Sequence, residues 1–93
     1  MPELLFEIWS DREDQSGSMY RVHPQNDKVR RLAEPTAVLV HSFMARSGFD
    51  AFRQNNAWHD YGSWAPPDGL DDHFFTEEEA AEQRAYLNAR KLD

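Results

Sequence analysis

Apolar and polar residues alternate near the start of the chain, and this pattern predicts a β-strand over residues 3–10. Alternate apolar side chains from Leu4 to Ile8 share one face of that strand. The polar and glycine residues of 11–18 predict a turn. Residues 19–23 again suit a strand, so the chain is predicted to begin with a β-hairpin.

A helix, a strand and a second helix are predicted next. Residues 26–34 place apolar side chains at helical spacing, and Pro35 ends this helix because the residue before a proline avoids the α region. The run 36–45 is apolar and rich in β-branched residues, which favours a central strand that is buried on both faces. Ser47 predicts the N-cap of a helix over residues 48–60.

The last predicted helix has a well-specified start. Thr76 is followed by three glutamates, and the third, Glu79, has the spacing of a capping box. Phe75 and Ala80 are placed for a hydrophobic staple across this start. The rest of the helix has few apolar residues, so we expect it to pack on the outside of the domain or to dock with another chain, and to fray toward Asp93.

These elements predict one α+β domain over residues 1–93. The order ββαβα, followed by a C-terminal helix, corresponds to a three-stranded, mainly antiparallel sheet packed with two helices plus the last one. A length of 93 residues suits a single domain. The predicted core consists of seven apolar residues: Phe6, Ile8, Val38, Val40, Phe49, Phe52 and Trp58.

Composition and charge restrict the possible partners. The formal net charge is −7, and a negative chain repels phosphate backbones, so we do not expect nucleic-acid binding. Lys28, Arg30 and Arg31 form a small basic group that predicts a solvated helix face. The excess of acidic residues predicts a soluble surface, or an acidic face for a basic protein partner.

Several classes of site are excluded or not expected. The chain has no cysteine, which excludes disulfides and thiolate metal sites. Its four glycines are scattered, so no phosphate-binding loop is predicted and we expect no cofactor. No apolar run approaches about 18 residues and no secretory leader is recognisable. We therefore expect no membrane association and a cytoplasmic location.

Aromatic residues after the second predicted helix are the main candidates for a binding surface. A flat aromatic and proline surface is predicted from Trp58, Tyr61 and Trp64 together with Pro66 and Pro67. Tyrosine and tryptophan are favoured anchors at protein interfaces. Tyr86 in the last helix is a further interface candidate. In the alternative interpretation, Trp58 belongs to the core and Trp64 covers it.

Histidine and aspartate residues define a second candidate site. His59 and Asp60 end the second predicted helix, and Asp71, Asp72 and His73 lie in the loop after it. If the loop folds back, these ligand types suit a first-row metal ion. The candidate ligands are His59, Asp60, Asp72 and His73. The alternative is a helix-end histidine beside an acidic loop, both in solvent.

Residues 31–87 also contain four short motifs. They are Arg31-Leu32-Ala33-Glu34-Pro35, the strand from Leu39 to Ala45 that leads into a helix, Gly62-Ser63-Trp64-Ala65-Pro66, and Thr76-Glu77-Glu78-Glu79 followed by Tyr86-Leu87. Together these motifs resemble a family of small uncharacterised bacterial proteins. No activity is established for that family, so the resemblance implies no functional residue in this chain.

The sequence thus predicts a small non-enzymatic protein-interaction module, which binds another protein or a second copy of itself. Two alternatives stay open. One is a small metal-dependent or hydrolytic enzyme that uses the His and Asp residues His59, Asp60, Asp71, Asp72 and His73. The other is an antitoxin-like regulator of a basic toxin, which rests on an analogy of fold.

Overall fold

The computed structural model describes residues 1–11 and 17–90. Residues 12–16 of the predicted turn, and residues 91–93 at the predicted fraying end, lie outside the described part. The described residues form six elements in this order: β1 (Leu4–Ser10), β2 (Gly17–Arg21), α1 (Pro24–Ala33), β3 (Val38–Ala45), α2 (Gly48–His59) and α3 (Glu77–Ala89). The predicted α+β fold with a three-stranded sheet is confirmed. None of these helices has the length and hydropathy to cross a membrane.

β1 lies in the middle of an antiparallel sheet, between β2 and β3. The prediction that β3 is the central strand is therefore wrong. The first residues of β3 are exposed, with relative accessibilities of 37% for Val38, 41% for Leu39 and 42% for Val40. An apolar run without alternation is typical of a strand buried on both faces, but here it forms an edge of the sheet.

The strand register gives the sheet two different faces. Leu4, Phe6 and Ile8 of β1 lie on one side, which we call the apolar face. Glu7 and Trp9 lie on the other side, which we call the charged face. All five side chains are buried. β1 is therefore covered on both faces, as expected of a central strand.

The hydrophobic core lies on the apolar face. Phe6 packs between the rings of Phe43 and Phe75, with centroid separations of 5.7 and 5.8 Å. α2 turns a small residue, Ala51, toward the sheet, which allows the helix to approach closely. The buried cluster contains six residues: Leu4, Phe6, Ala45, Ala51, Phe75 and Ala80.

The predicted core is correct only in part. Phe6 and Ile8 are buried as expected. The other five members are exposed or half-buried: Val38, Val40, Phe49, Phe52 and Trp58. The valines lie on the open edge of the sheet. The rings of α2 are displaced from the core because the helix places Ala51 against the sheet and its large side chains on other sides.

The predicted starts of α2 and α3 are confirmed, whereas α1 begins at Pro24 and not at residue 26. The Ser47 hydroxyl accepts a hydrogen bond from the amide of Asp50 at 3.0 Å, which caps α2. The Thr76 hydroxyl accepts from the amide of Glu79 at 3.1 Å, and the Glu79 carboxylate accepts from the amide of Thr76 at 2.9 Å. This reciprocal pair is the capping box of α3. His23 caps α1.

A glutamine of α3 completes the sheet where β2 ends. The Gln83 side chain accepts a hydrogen bond from the amide of Leu5 at 2.7 Å and donates to the carbonyl of Leu5 at 3.0 Å. It also donates to the carbonyl of Val22 at 2.9 Å. A primary amide has the donor and acceptor pattern of a peptide group. The Val22 amide still donates directly to the carbonyl of Leu5 at 3.1 Å, so Gln83 bridges the Leu5 amide and the Val22 carbonyl at the end of the β1–β2 pairing.

α3 contacts both faces of the sheet. Ala80, near its start, belongs to the core on the apolar face. Gln83 binds the backbone of β1, and Arg90, just after the helix, binds Glu7 on the charged face. Most of the helix is exposed, as expected of one that packs on the outside, but its inner side reaches the core and the buried charges. Its inward stripe of Ala80, Gln83, Tyr86 and Arg90 has helical spacing but is mostly polar.

Candidate functional site

Two of the predicted interface residues, Trp58 and Tyr61, are exposed and lie in one row with two half-buried histidine rings. Trp58 stacks on His41 of β3, with centroids 5.1 Å apart and an interplanar angle of 10°. His59 follows at 4.9 Å from Trp58, and Tyr61 stacks on His59 at 4.7 Å. Trp58 is 43% exposed and Tyr61 is 67% exposed. We call His41, Trp58, His59 and Tyr61 the aromatic row.

The backbone conformation after α2 positions the end of this row. Asp60 has a left-handed conformation with φ of 60° and caps the helix. Its amide and that of Tyr61 bind carbonyls of the last helical turn, at Ala57 and Asn56. The chain thus turns back immediately after His59, which brings Tyr61 onto the imidazole.

The remaining predicted interface residues lie elsewhere. Trp64 packs on Phe49 and Phe52, both at 5.4 Å, on a side of α2 away from the core. Pro66 is half-buried in the same loop. Tyr86 donates a hydrogen bond to a buried carboxylate on the charged face. The alternative interpretation, in which Trp64 covers a core Trp58, is wrong because Trp58 is exposed and Trp64 covers Phe49 and Phe52.

β3 presents an outer edge beside the aromatic row. Leu5 directs its amide and carbonyl away from β3, and backbone directions alternate along an antiparallel pair. Met44, opposite Leu5, therefore points its own backbone groups outward. α2 covers this end of the edge, since Gln54 donates to the Met44 carbonyl at 2.8 Å and the Arg46 amide donates to Asp50 at 3.0 Å.

The rest of the edge is open. Residues 38–42 pair on their outer side with no strand among residues 1–11 and 17–90. The pairing with β1 shifts register between Ile8 and Trp9, which leaves an extra residue on β3 there. No charged residue occurs from Val38 to Ala45. The edge thus has a bulge but lacks the charges that commonly protect edge strands.

The structure does not bring the predicted metal ligands together. His59 lies against Gly17 at the start of β2. Asp72 accepts a hydrogen bond from the amide of Phe49 at 3.0 Å, at the start of α2. His73 contacts Glu79 at 2.9 Å. Over residues 1–11 and 17–90 no group of three or more His, Cys, Asp or Glu is arranged to hold a metal ion.

Desolvation alone would raise the pKa of Asp72, but its bonds from the Phe49 amide, the Ser47 hydroxyl and the His73 amide outweigh this and lower the pKa. This carboxylate therefore serves as a helix-start acceptor. Asp71 is exposed, and Asp60 caps the end of α2. The local roles of these acids explain why they do not converge on the histidines.

A network of buried charges lies on the charged face. Arg90 donates to Glu7 at 2.6 and 2.8 Å and to Asp27 at 2.8 and 2.9 Å, and only 4% of its side chain is exposed. Tyr86 also donates to Asp27, and the Trp9 indole donates to Glu7 at 3.1 Å. Burial would raise the pKa of Asp27, but the bonds from Arg90 and Tyr86 outweigh it and lower the pKa.

Sequence reasoning missed this network. The one local signal is Glu7, which alternates with buried apolar residues in β1 and lies on the same face as Trp9. A carboxylate at such a position requires a buried cationic partner. Its partner, Arg90, lies 83 positions away along the chain. The predicted solvated basic face is also partly wrong, because Arg30 is buried while Lys28 and Arg31 are exposed.

The chain was compared with protein-family models, with curated proteins and with solved structures, and none of the three comparisons gives a match. The resemblance of residues 31–87 to a family of small bacterial proteins therefore stays a prediction. Function must accordingly be inferred from the geometry of the open edge, the aromatic row and the charged face.

Proposed function

We propose that this chain is a protein-interaction module that binds an extended segment of a partner protein along β3. The segment would pair with residues 38–42 as a fourth strand of the sheet. The observation that carries the proposal is the open edge, where three successive apolar residues, Val38, Leu39 and Val40, are between 37% and 42% exposed. Unpaired strand edges of this kind bind extended peptides through main-chain hydrogen bonds.

The aromatic row supports the proposal by supplying side-chain contacts next to the edge. His41 belongs to β3 and carries Trp58 on its ring, so the row begins on the binding strand itself. Trp58 and Tyr61 are large, exposed and held by stacking, which suits anchors that lose little conformational freedom on binding.

Charge indicates the chemistry of the partner. The edge from Val38 to Ala45 is uncharged, whereas the whole chain has a formal net charge of −7. A segment with apolar residues at alternate positions would match the edge, and basic residues beside it would be attracted by the surrounding charge. An acidic segment would be repelled.

Selection from a displayed library of random peptides tests this proposal. We expect peptides selected on the wild-type protein to shift backbone amide resonances of residues 38–42. Val40→Lys places a charge on the edge and should weaken their binding at least tenfold. Leu32→Lys makes the same change at an exposed apolar residue of α1 and should leave binding unchanged.

Equal binding to the Val40→Lys variant, or shifts confined to residues outside β3 and the aromatic row, would refute the proposal. Light scattering on the same proteins tests whether the partner is a second copy of the chain. A wild-type dimer that Val40→Lys dissociates and Leu32→Lys does not would mean that the fourth strand comes from a second copy of the chain.

A further inference from the structure

A separate cavity of about 240 Å³ lies on the charged face, between β1, α1 and the segment before β3. It shares no residue with the open edge or the aromatic row. Its lining contains two arginines among otherwise apolar residues: Trp9, Arg30, Arg31, Pro35 and Ala37. A cavity that combines apolar walls with a few polar groups is the usual form of a small-molecule site.

Arg30 is the unusual residue of this cavity. Only 8% of its side chain is exposed, and its guanidinium lies over the Trp9 ring at 3.6 Å from the centroid. It makes no hydrogen bond of ordinary length to any residue within 1–11 or 17–90, and its Nε is buried without a partner. A guanidinium carries five N–H donors, and buried donors are nearly always satisfied.

The neighbouring carboxylate does not satisfy Arg30. The closest approach is 3.9 Å, between Arg30 Nη2 and Asp27 Oδ1, which is too long for a hydrogen bond. Both oxygens of Asp27 already accept hydrogen bonds from Arg90, and one of them also accepts from Tyr86. Arg30 is thus held in a charged environment, while its Nε has no hydrogen-bond partner among residues 1–11 and 17–90.

The position of Arg30 is fixed by the groups beneath it. The Trp9 indole donates to Glu7 at 3.1 Å, and Glu7 is in turn bound twice by Arg90. The ring that supports the guanidinium therefore cannot turn without breaking this network. A binding group that is held in place before its ligand arrives loses less entropy on binding.

We infer that this cavity binds a small organic carboxylate, with Arg30 as the group that recognises the anion. A guanidinium matches a carboxylate in a planar, two-point arrangement. Trp9, Pro35 and Ala37 provide apolar contacts for the body of the ligand. The net charge of −7 opposes any anion, and it opposes a dianion such as phosphate more than a monoanion.

Titration with sodium phenylacetate, at constant ionic strength, tests this inference. The readouts are the resonances of the Trp9 indole N–H and the Arg30 Nε–H. We expect saturable shifts of both, with a dissociation constant of about 1 mM. Inorganic phosphate should bind at least tenfold more weakly, and sodium chloride should produce no saturable shift.

Two variants of Arg30 and one control variant complete the experiment. Arg30→Met should weaken phenylacetate binding at least tenfold, and Arg30→Lys, which keeps the charge but not the fork, should weaken it as well. Arg53→Met is the control: it removes a cation of α2 that lies beside Trp64, and it should leave the affinity unchanged. Amide spectra of each variant show whether it is folded.

Absence of a saturable shift in the wild-type protein would overturn the inference without reference to any variant. An unchanged affinity in the Arg30 variants would overturn it too, as would equal weakening by Arg53→Met. Tighter binding of phosphate than of phenylacetate would show that the cavity has a different specificity from the one inferred.

Discussion

Replacement of Arg90 by methionine should destabilise the protein strongly. Arg90 has only 4% of its side chain exposed and donates four hydrogen bonds to the carboxylates of Glu7 and Asp27. Removing one member of a buried ionic network leaves the other charges uncompensated, which costs about 3–5 kcal/mol. Domains of this size have a free energy of unfolding of about 5–15 kcal/mol. The change therefore removes a large share of the total.

Urea unfolding, followed by circular dichroism, measures the effect. With a slope of about 1.5 kcal/mol per molar, the midpoint should fall by about 2–3 M. Arg84→Met is the matched control, because Arg84 is an exposed arginine of the same helix. Its effect should stay within about 0.5 kcal/mol.

The pH dependence separates this mechanism from a simple loss of packing. In the wild-type protein the pKa of Asp27 is lowered, so its contribution to stability is present above its ordinary pKa and is lost as the pH falls through the folded-state value. Without Arg90, burial of Asp27 dominates and raises its pKa. The folded variant then binds this proton more tightly than the unfolded chain, so its stability should increase as the pH falls from neutral toward the raised pKa of Asp27. The reasoning is refuted if Arg90→Met costs under about 1 kcal/mol, or if its loss is the same at every pH.

Three further changes test the packing and the caps. Gln83→Met leaves the amide of Leu5 without its acceptor, although the Leu5 carbonyl keeps its bond from the Val22 amide. The change should cost about 1–3 kcal/mol in urea unfolding and speed hydrogen exchange at Leu5, and unchanged exchange would contradict the bridging role of Gln83. Gly17→Ala places a Cβ 2.6 Å from the His59 ring and should cost about 1–3 kcal/mol. In a double-mutant cycle, the cost of Gly17→Ala should be much smaller in the His59→Ala background. Full additivity of the two changes would argue against the contact. Thr76→Ala removes half of the capping box and should cost about 1 kcal/mol, whereas Thr76→Ser should cost little; equal losses would count against capping.

The sequence predicts local features of this fold well. Alternation in β1, the Ser47 cap and the capping box at Thr76 each depend on residues a few positions apart, and all three are confirmed. The place of β3 depends instead on which strand pairs with which, and residues 36–45 carry no information about that. Their apolar character indicates burial in most proteins, but here it marks an exposed edge.

The candidate sites also divide into local features, which the sequence predicts, and features formed by distant residues, which it does not. The proximity of Trp58 and Tyr61 follows from their separation of three residues near a helix end, so it could be predicted. The network around Arg90 could not, because Glu7, Asp27 and Arg90 come from three distant parts of the chain. The inward side of α3 was also missed, since a pattern analysis that looks for apolar side chains does not find a polar stripe.

The path of α3 has a consequence for the motions of the protein. The helix contributes Ala80 to the core, Gln83 to the sheet and Arg90, just past its end, to the buried charges, so its detachment opens all three at once. Partial opening therefore offers little gain in chain entropy for a large loss of contacts. Amides on β1 should exchange with solvent only through global unfolding. Those of residues 60–76, the loop between α2 and α3, should exchange through smaller fluctuations.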